Sequence, residues 1–96
     1  MAMRSRSWNE RLAKRLRDPG YAAEFLRGLL EEGEFLQEAL AMTIKAYGVT
    51  EYAELVGLPE SNIHRAVDPN HNPTKKTLEA LLAPLGLKLS VEELSA

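Results

Sequence analysis

Apolar residues recur every three or four positions along most of the chain, the spacing of one face of an α-helix. Residues 7–17 carry such a stripe at Trp8, Leu12 and Leu16, with Ser7 as the expected N-cap. The same periodicity continues through residues 19–32, 34–47, 50–56, 60–67 and 74–85. The pattern therefore predicts an all-α chain of five to six helices.

The expected helix ends coincide with residues that start or stop helices. Asp18 before Pro19 is a typical helix start, and Thr74 can cap the last helix, where Pro84 should distort the final turn. Gly33 and Gly48 should end the second and third helices. The apolar positions predicted to line these two helices are Ala22, Phe25, Leu26, Leu29, Leu30, Phe35, Leu36, Ala39, Leu40, Ile44 and Tyr47.

The C-terminal segment has a different pattern. Residues 87–91 alternate apolar and polar side chains, which predicts a short edge strand. A lone strand is marginally stable and needs a partner, for which the same strand of a second subunit is one candidate.

The most informative spacing is that of Ala53, Gly57 and Ile63, which is typical of a helix-turn-helix. A small alanine allows two helices to cross closely, and a glycine accepts the left-handed backbone of the turn. Ile63 should anchor the second helix in the core, helped by Tyr52, Val56 and Leu58. The residues left facing outward are all polar, and can reach base edges or phosphates: Glu60, Ser61, Asn62, His64 and Arg65.

Further candidate DNA contacts lie on either side of this pair of helices. Thr50 should cap the first helix of the pair, where backbone N–H groups could also hold a phosphate. Asn72, Lys75 and Lys76 stand at the start of the last helix and could contact phosphates. The structural alternatives are a turn-shaping role for Asn72, a solvated face for the lysines, and a surface ion pair of Arg65 with Glu60 or Asp68.

Charge is segregated along the 96 residues, although the net charge is only −2. Residues 1–17 hold six basic side chains and one acidic one, for a charge of +5. Residues 18–60 hold nine acids and two bases, for −7, and residues 61–96 are balanced at four each. This distribution favours more than one partner surface, although it could also serve solubility alone. The basic arm could follow a DNA groove or be disordered, and its Trp8 stripe could pack on the core, a second subunit or another protein.

Other functional classes find little support in the sequence. No cysteine is present, and the N-terminal arginines are not followed by the apolar run of a signal peptide or membrane span, so we expect a cytoplasmic protein without membrane association. His64, Asp68 and His71 are fewer ligands than a structural metal site uses. No catalytic constellation or phosphate-binding glycine loop occurs, so no enzyme activity and no cofactor is expected.

Several segments together give the chain a resemblance to Cro/repressor-type (XRE-like) helix-turn-helix proteins, and among them to the probable addiction-module antidote proteins, the HigA-like antitoxins. The matching segments are residues 18–26, 30–33, 53–58, 63–69, 72–73 and 85–91. The resemblance implies a lambda-repressor-like DNA-binding domain at residues 34–96, preceded by a basic arm and helical extension at 1–33, the two packed as one domain.

By the same resemblance, the chain would bind the double-stranded operator DNA of its own operon as a homodimer. It would also neutralise a small basic toxin of the RelE/HigB type, a partner that the acidic middle of the chain would suit. Two alternatives remain at this stage. One is a solitary phage-type repressor, and the other is a protein-interaction domain that has lost DNA binding. The latter is motivated by Glu60, which stands where the family commonly has a basic or amide residue.

Overall fold

A computed structural model describes the backbone of residues 6–90 and the side chains of residues 9–90. This part of the chain forms six α-helices and one 3₁₀ turn, and contains no strand. The elements are α1 Arg6–Arg15, α2 Pro19–Glu31, α3 Leu36–Tyr47, α4 Val49–Val56, α5 Glu60–Val67, α6 Lys75–Leu82 and the 3₁₀ turn Ala83–Leu85. The all-helical prediction is confirmed for these residues.

Two of the predicted helix starts are confirmed in atomic detail. The Asp18 side chain accepts a hydrogen bond from the backbone N–H of Gly20 at 3.0 Å, and Pro19 is the first residue of α2. The Thr74 hydroxyl oxygen accepts from the N–H of Thr77 at 3.1 Å and so caps α6. Both side chains satisfy a donor that the first helical turn leaves without a partner.

Two other predicted caps are wrong. Ser7 lies within α1, which already includes Arg6. Thr50 lies in the first turn of α4, because α4 begins at Val49 directly after Gly48. Gly48, with a φ of 116°, is the one residue between α3 and α4, and it has no side chain that could cap α4.

The core forms around α3, which contacts α1, α2, α4 and α5. Thr43 is the one buried polar residue within the described part of the chain, and its hydroxyl donates to the carbonyl oxygen of Ala39 at 2.8 Å. The buried apolar residues are Leu16, Ala22, Ala23, Leu26, Ala39, Leu40, Ile44, Tyr47, Tyr52, Ala53, Ile63, Ala66, Leu81, Leu82 and Leu85. Every helix from α2 to α6 contributes to this core, and the N-terminal region joins it through Leu12 of α1 and Leu16, which directly follows α1.

Part of the predicted basic arm is therefore fixed to the core. Leu16 is buried, and the Arg17 guanidinium lies 4.5 Å from the centre of the Tyr47 ring. A guanidinium over an aromatic face is attracted by the ring's electrons, so Arg17 fastens the end of α1 to α3. The side chain of Trp8, as well as Arg4, lies outside the residues that the structure describes.

The predicted core positions Leu30 and Phe35 are wrong, since both side chains are exposed. Phe35 precedes the first residue of α3 and has an extended backbone with φ −72° and ψ 155°. Helical periodicity does not apply to a residue outside the helix, so its side chain leaves the apolar face that Leu36, Ala39 and Leu40 share.

The predicted C-terminal strand does not form in residues 87–90, and Val91 lies outside the described residues. Leu87 and Leu89 are half-buried against the core, whereas Lys88 and Ser90 are exposed. The alternation in the sequence thus reflects an extended segment that covers the core, with no neighbouring strand in the described chain to pair with it. None of the helices in residues 6–90 is long and apolar enough to cross a membrane.

Candidate nucleic-acid interface

Helices α4 and α5 are joined by a tight turn of residues 57–59. Gly57 has φ 74° and ψ 30°, the left-handed conformation that its lack of a Cβ makes accessible. The N–H groups of Gly57 and Leu58 both donate to the carbonyl oxygen of Ala53, at 2.9 and 3.1 Å. Ala53 is buried. The left-handed turn predicted at Gly57 is confirmed.

The two faces of α5 differ sharply in polarity. Ile63 and Ala66 are buried, with 1% and 4% of their surface exposed, and they dock the helix on the core. The opposite face consists entirely of polar side chains. The nine residues predicted from the sequence to contact DNA are all exposed: Thr50, Glu60, Ser61, Asn62, His64, Arg65, Asn72, Lys75 and Lys76.

A groove of about 270 Å³ runs between α5 and the start of α6. It brings together three of the predicted positions, Asn62, Arg65 and Asn72. The sequence reasoning missed three further polar residues in its lining: His71, Thr74 and Thr77. Lys75 and Lys76 lie in the first turn of α6 but do not line the groove. Donors from two helices and one loop therefore converge on a single concave surface.

Arg65 is available for an external partner. It forms no ion pair with Glu60 or Asp68 among the residues that the structure describes, so those surface pairings are not made. Asp68 instead lies 3.6 Å from His71 Nε2, and its other oxygen accepts from the N–H of Asn70 at 2.9 Å. The described residues contain no group of three histidine or carboxylate side chains placed to hold a metal ion.

Glu60, the first residue of α5, has a structural partner on α4. Its Oε2 accepts a hydrogen bond from the Thr50 hydroxyl at 2.9 Å, which links the first turns of α4 and α5. A carboxylate at this position also interacts favourably with the positive end of the α5 dipole. Thr50 and Glu60 thus hold each other in place on the exposed surface, away from the groove formed by Asn62, Arg65 and Asn72.

Gln37 on α3 fixes the C-terminal end of α5, and no pattern in the sequence indicated this role. Its side-chain amide nitrogen lies 2.9 Å from the carbonyl oxygen of Ala66, 3.1 Å from that of Asp68 and 3.2 Å from that of His71. The last turn of a helix leaves carbonyl groups without partners inside the helix. One amide therefore ties the end of α5 and the loop that leads to Asn72 to the central helix.

Tyr52 sets the position of α4 against α6. Its ring is fully buried and meets Tyr47 edge to face, with centroids 5.1 Å apart and planes at 86°. Its hydroxyl donates to the carbonyl oxygen of Leu81 at 2.5 Å. Burial, with a smaller contribution from Tyr47, raises the pKa of the Tyr52 hydroxyl far above its ordinary value. The hydroxyl consequently stays protonated and keeps donating at physiological pH.

Comparison with known families decides the affiliation of this fold. The family model for probable addiction module antidote proteins matches residues 9–93, which is most of the chain. The chain belongs to this family. No curated protein and no solved structure matches it. The match includes all six helices except the first three residues of α1.

Membership in the antidote family supports a role as the antitoxin of a toxin–antitoxin module and implies a cognate toxin as partner. It favours a regulatory protein over an enzyme.

Proposed function

We propose that this antitoxin represses its own operon by binding operator DNA through α5, and that it neutralises a basic toxin of the RelE/HigB type. The observation that carries the DNA-binding half is the amphipathic α5, which is docked by Ile63 and Ala66 and presents an unbroken polar face to solvent. A helix exposed in this way fits the major groove, where side chains can distinguish all four base pairs.

Each polar residue has a chemistry that fits a part of the duplex. Arg65 can donate two parallel hydrogen bonds to a guanine or bind a phosphate, and Asn62 suits an adenine. Lys75, Lys76 and Asn72 suit the phosphate backbone, which fixes the register of the protein on the duplex. Glu60 can accept from a cytosine but repels phosphate, so it makes binding weaker and more selective than a basic residue would.

The antitoxin acts as a homodimer in this proposal. A single α5 of eight residues reads only a few base pairs, whereas two copies read two half-sites about one helical turn apart. The predicted operator is therefore a pseudo-palindrome upstream of the operon. The proposed division into a helical extension at 1–33 and a DNA-binding unit at 34–96 assigns DNA recognition to the second part.

The test is to co-express the chain with the neighbouring reading frame and then measure binding of both proteins to the upstream DNA. We expect a stable complex, relief of growth arrest, and a mobility shift of the operator fragment. The rival proposal is a protein-interaction domain without DNA binding, which the carboxylate of Glu60 on the α5 surface favours. A complex that relieves growth arrest but never shifts upstream DNA would support that rival. A solitary repressor would shift DNA and have no toxic neighbour.

A further inference from the structure

Phe35 is a large apolar side chain that the fold leaves in water. It is 77% exposed, compared with 53% for Leu55, 45% for Met42 and 38% for Leu30, the other exposed large apolar residues of the described chain. Single exposed apolar residues are common on protein surfaces. Phe35 differs from such cases because of its position at a helix start and because of the charges around it.

The position of Phe35 works against stability. It is the N-cap residue of α3, and its side chain makes no capping hydrogen bond. Serine, threonine, aspartate or asparagine at an N-cap would accept from a free N–H of the first turn, which phenylalanine cannot do. Phe35 therefore fills neither the core nor the cap, and the folded monomer gives no reason for an aromatic residue here.

The segments on either side of Phe35 are acidic. Glu31 and Glu32 precede it at the end of α2, Glu34 lies beside it in the connecting turn, and Glu38 follows one turn later on α3. None of these four carboxylates forms an ion pair within residues 6–90. We call Phe35 with these four glutamates the Phe35 surface. It combines an apolar anchor with a charged rim, the arrangement of a small protein-binding hot spot.

We propose that the Phe35 surface is the docking site for the basic toxin. Phe35 enters an apolar pocket of the toxin, and the four glutamates face its lysine and arginine side chains. This assignment rests on the proposed antitoxin function. Charge selects the toxin over a second copy of this chain, because a two-fold interface would bring the same four carboxylates of each subunit against one another. The surface contains none of the nine residues proposed to contact DNA, so variants can separate the two activities.

The experiment measures binding of the full chain to the purified protein encoded beside it, by titration calorimetry or surface plasmon resonance. Phe35→Ser removes the aromatic anchor and supplies a side chain that can cap α3. We expect toxin affinity to fall about 30-fold or more, the loss typical of an interface hot spot. We also expect the melting temperature to stay unchanged or rise. The matched control is Leu55→Ser, which removes another exposed apolar side chain from α4 and should leave toxin affinity unchanged.

A second set of variants tests the charged rim. Replacing Glu31, Glu32, Glu34 and Glu38 by glutamine should slow association with the toxin and flatten its dependence on salt, because rim charges act mainly on encounter. The control is Glu51→Gln with Glu54→Gln on α4. This control should change neither the association rate with the toxin nor the dependence of that rate on salt. These variants also keep the proposal testable if Phe35→Ser fails to fold.

The outcomes distinguish failure of the proposed docking site from failure of the proposed antitoxin function. If the wild-type chain binds the toxin and both Phe35→Ser and the glutamine variant bind it equally well, the docking site is overturned while the antitoxin function stands. Conversion of a wild-type dimer to a monomer by Phe35→Ser, with unchanged toxin binding, would reassign the surface to self-association. If the wild-type chain does not bind its neighbour, the proposed function fails and the docking site with it.

Discussion

Replacing Tyr52 by phenylalanine tests how α4 is attached to α6 and the rest of the fold. The ring would remain in place, with its surface fully buried and its edge against Tyr47, so the substitution creates almost no cavity. What is lost is the hydroxyl that donates to the carbonyl oxygen of Leu81. Loss of one buried hydrogen bond with its acceptor left behind costs about 1–2 kcal/mol. In a domain of this size the melting temperature should fall by about 5–15 °C.

Tyr52 should also make the free energy of unfolding depend on pH. Burial raises the pKa of Tyr52 in the folded chain, so as the pH rises through about 10 the unfolded chain loses this proton first. The contribution of Tyr52 to the free energy of unfolding is complete below pH 9. It decreases above pH 10, because deprotonation then favours the unfolded state. At pH 11 the loss from this one group amounts to about 1.4 kcal/mol. Phenylalanine cannot ionise, so the variant lacks this contribution.

The assay is urea denaturation of wild type and Tyr52→Phe, followed by circular dichroism at pH 7 and at pH 11. We expect the wild type to be more stable by about 1–2 kcal/mol at pH 7, and this advantage to shrink by about 1.4 kcal/mol at pH 11. The difference in unfolding free energy between the two proteins at each pH cancels the contributions of all other titrating groups. An advantage that is equal at both pH values would refute the reasoning, because Tyr52 would then ionise as easily in the folded chain as in the unfolded one.

Three further substitutions test other parts of the account. Gln37→Leu removes the amide that reaches the carbonyl oxygens of Ala66, Asp68 and His71, so we expect a loss of about 1–2 kcal/mol in chemical denaturation; an unchanged free energy of unfolding would mean that water replaces the amide. Arg65→Ala should weaken operator binding by about 1–3 kcal/mol in fluorescence anisotropy without affecting the melting temperature, and an unchanged affinity would remove it from the interface. Ala53→Phe should abolish the cooperative thermal transition, because it overpacks a buried helix crossing, and a stable variant would show that the crossing is looser than described.

The parts of the fold that sequence reasoning predicted are those fixed by local chemistry. Asp18 with Pro19 starts α2, and the left-handed turn at Gly57 follows from a backbone that few other residues adopt. Buried Ile63 follows from helical periodicity, as does the polar character of the opposite face of α5. These features depend on residues close together in the chain, so their pattern can be read directly.

The features that sequence reasoning missed depend on contacts between distant residues or on the position of a helix boundary. Gln37 reaches carbonyl groups 29 to 34 positions away, and no spacing in the sequence indicates such a contact. Phe35 fits the periodicity of α3 but lies one residue before the helix begins. Thr50 is a good capping residue by type, but Gly48 alone separates α3 from α4, so the helix starts too early for it to act as a cap.

The fold shows which of the segregated charges have partners within the molecule. The basic N-terminal region is partly engaged within the molecule, since Arg17 lies over the Tyr47 ring and donates to the carbonyl oxygen of that residue at 3.4 Å. The acidic residues near the end of α2 and the start of α3, in contrast, form no ion pair among the described residues and lie on both sides of Phe35 in the sequence. The sequence could indicate an acidic segment, but the exposure of Phe35 was needed to propose a docking site within it.

The most direct test of the central claim is a titration of the chain's own upstream DNA with the purified protein, measured by fluorescence anisotropy at several salt concentrations. We predict saturable binding that is at least about a thousandfold tighter than to a scrambled duplex of the same length. We also predict that its affinity falls steeply as salt increases, because phosphate contacts release counterions. Equal affinity for the two duplexes, or no binding at low salt, would contradict the assignment of α5 as a DNA-reading helix.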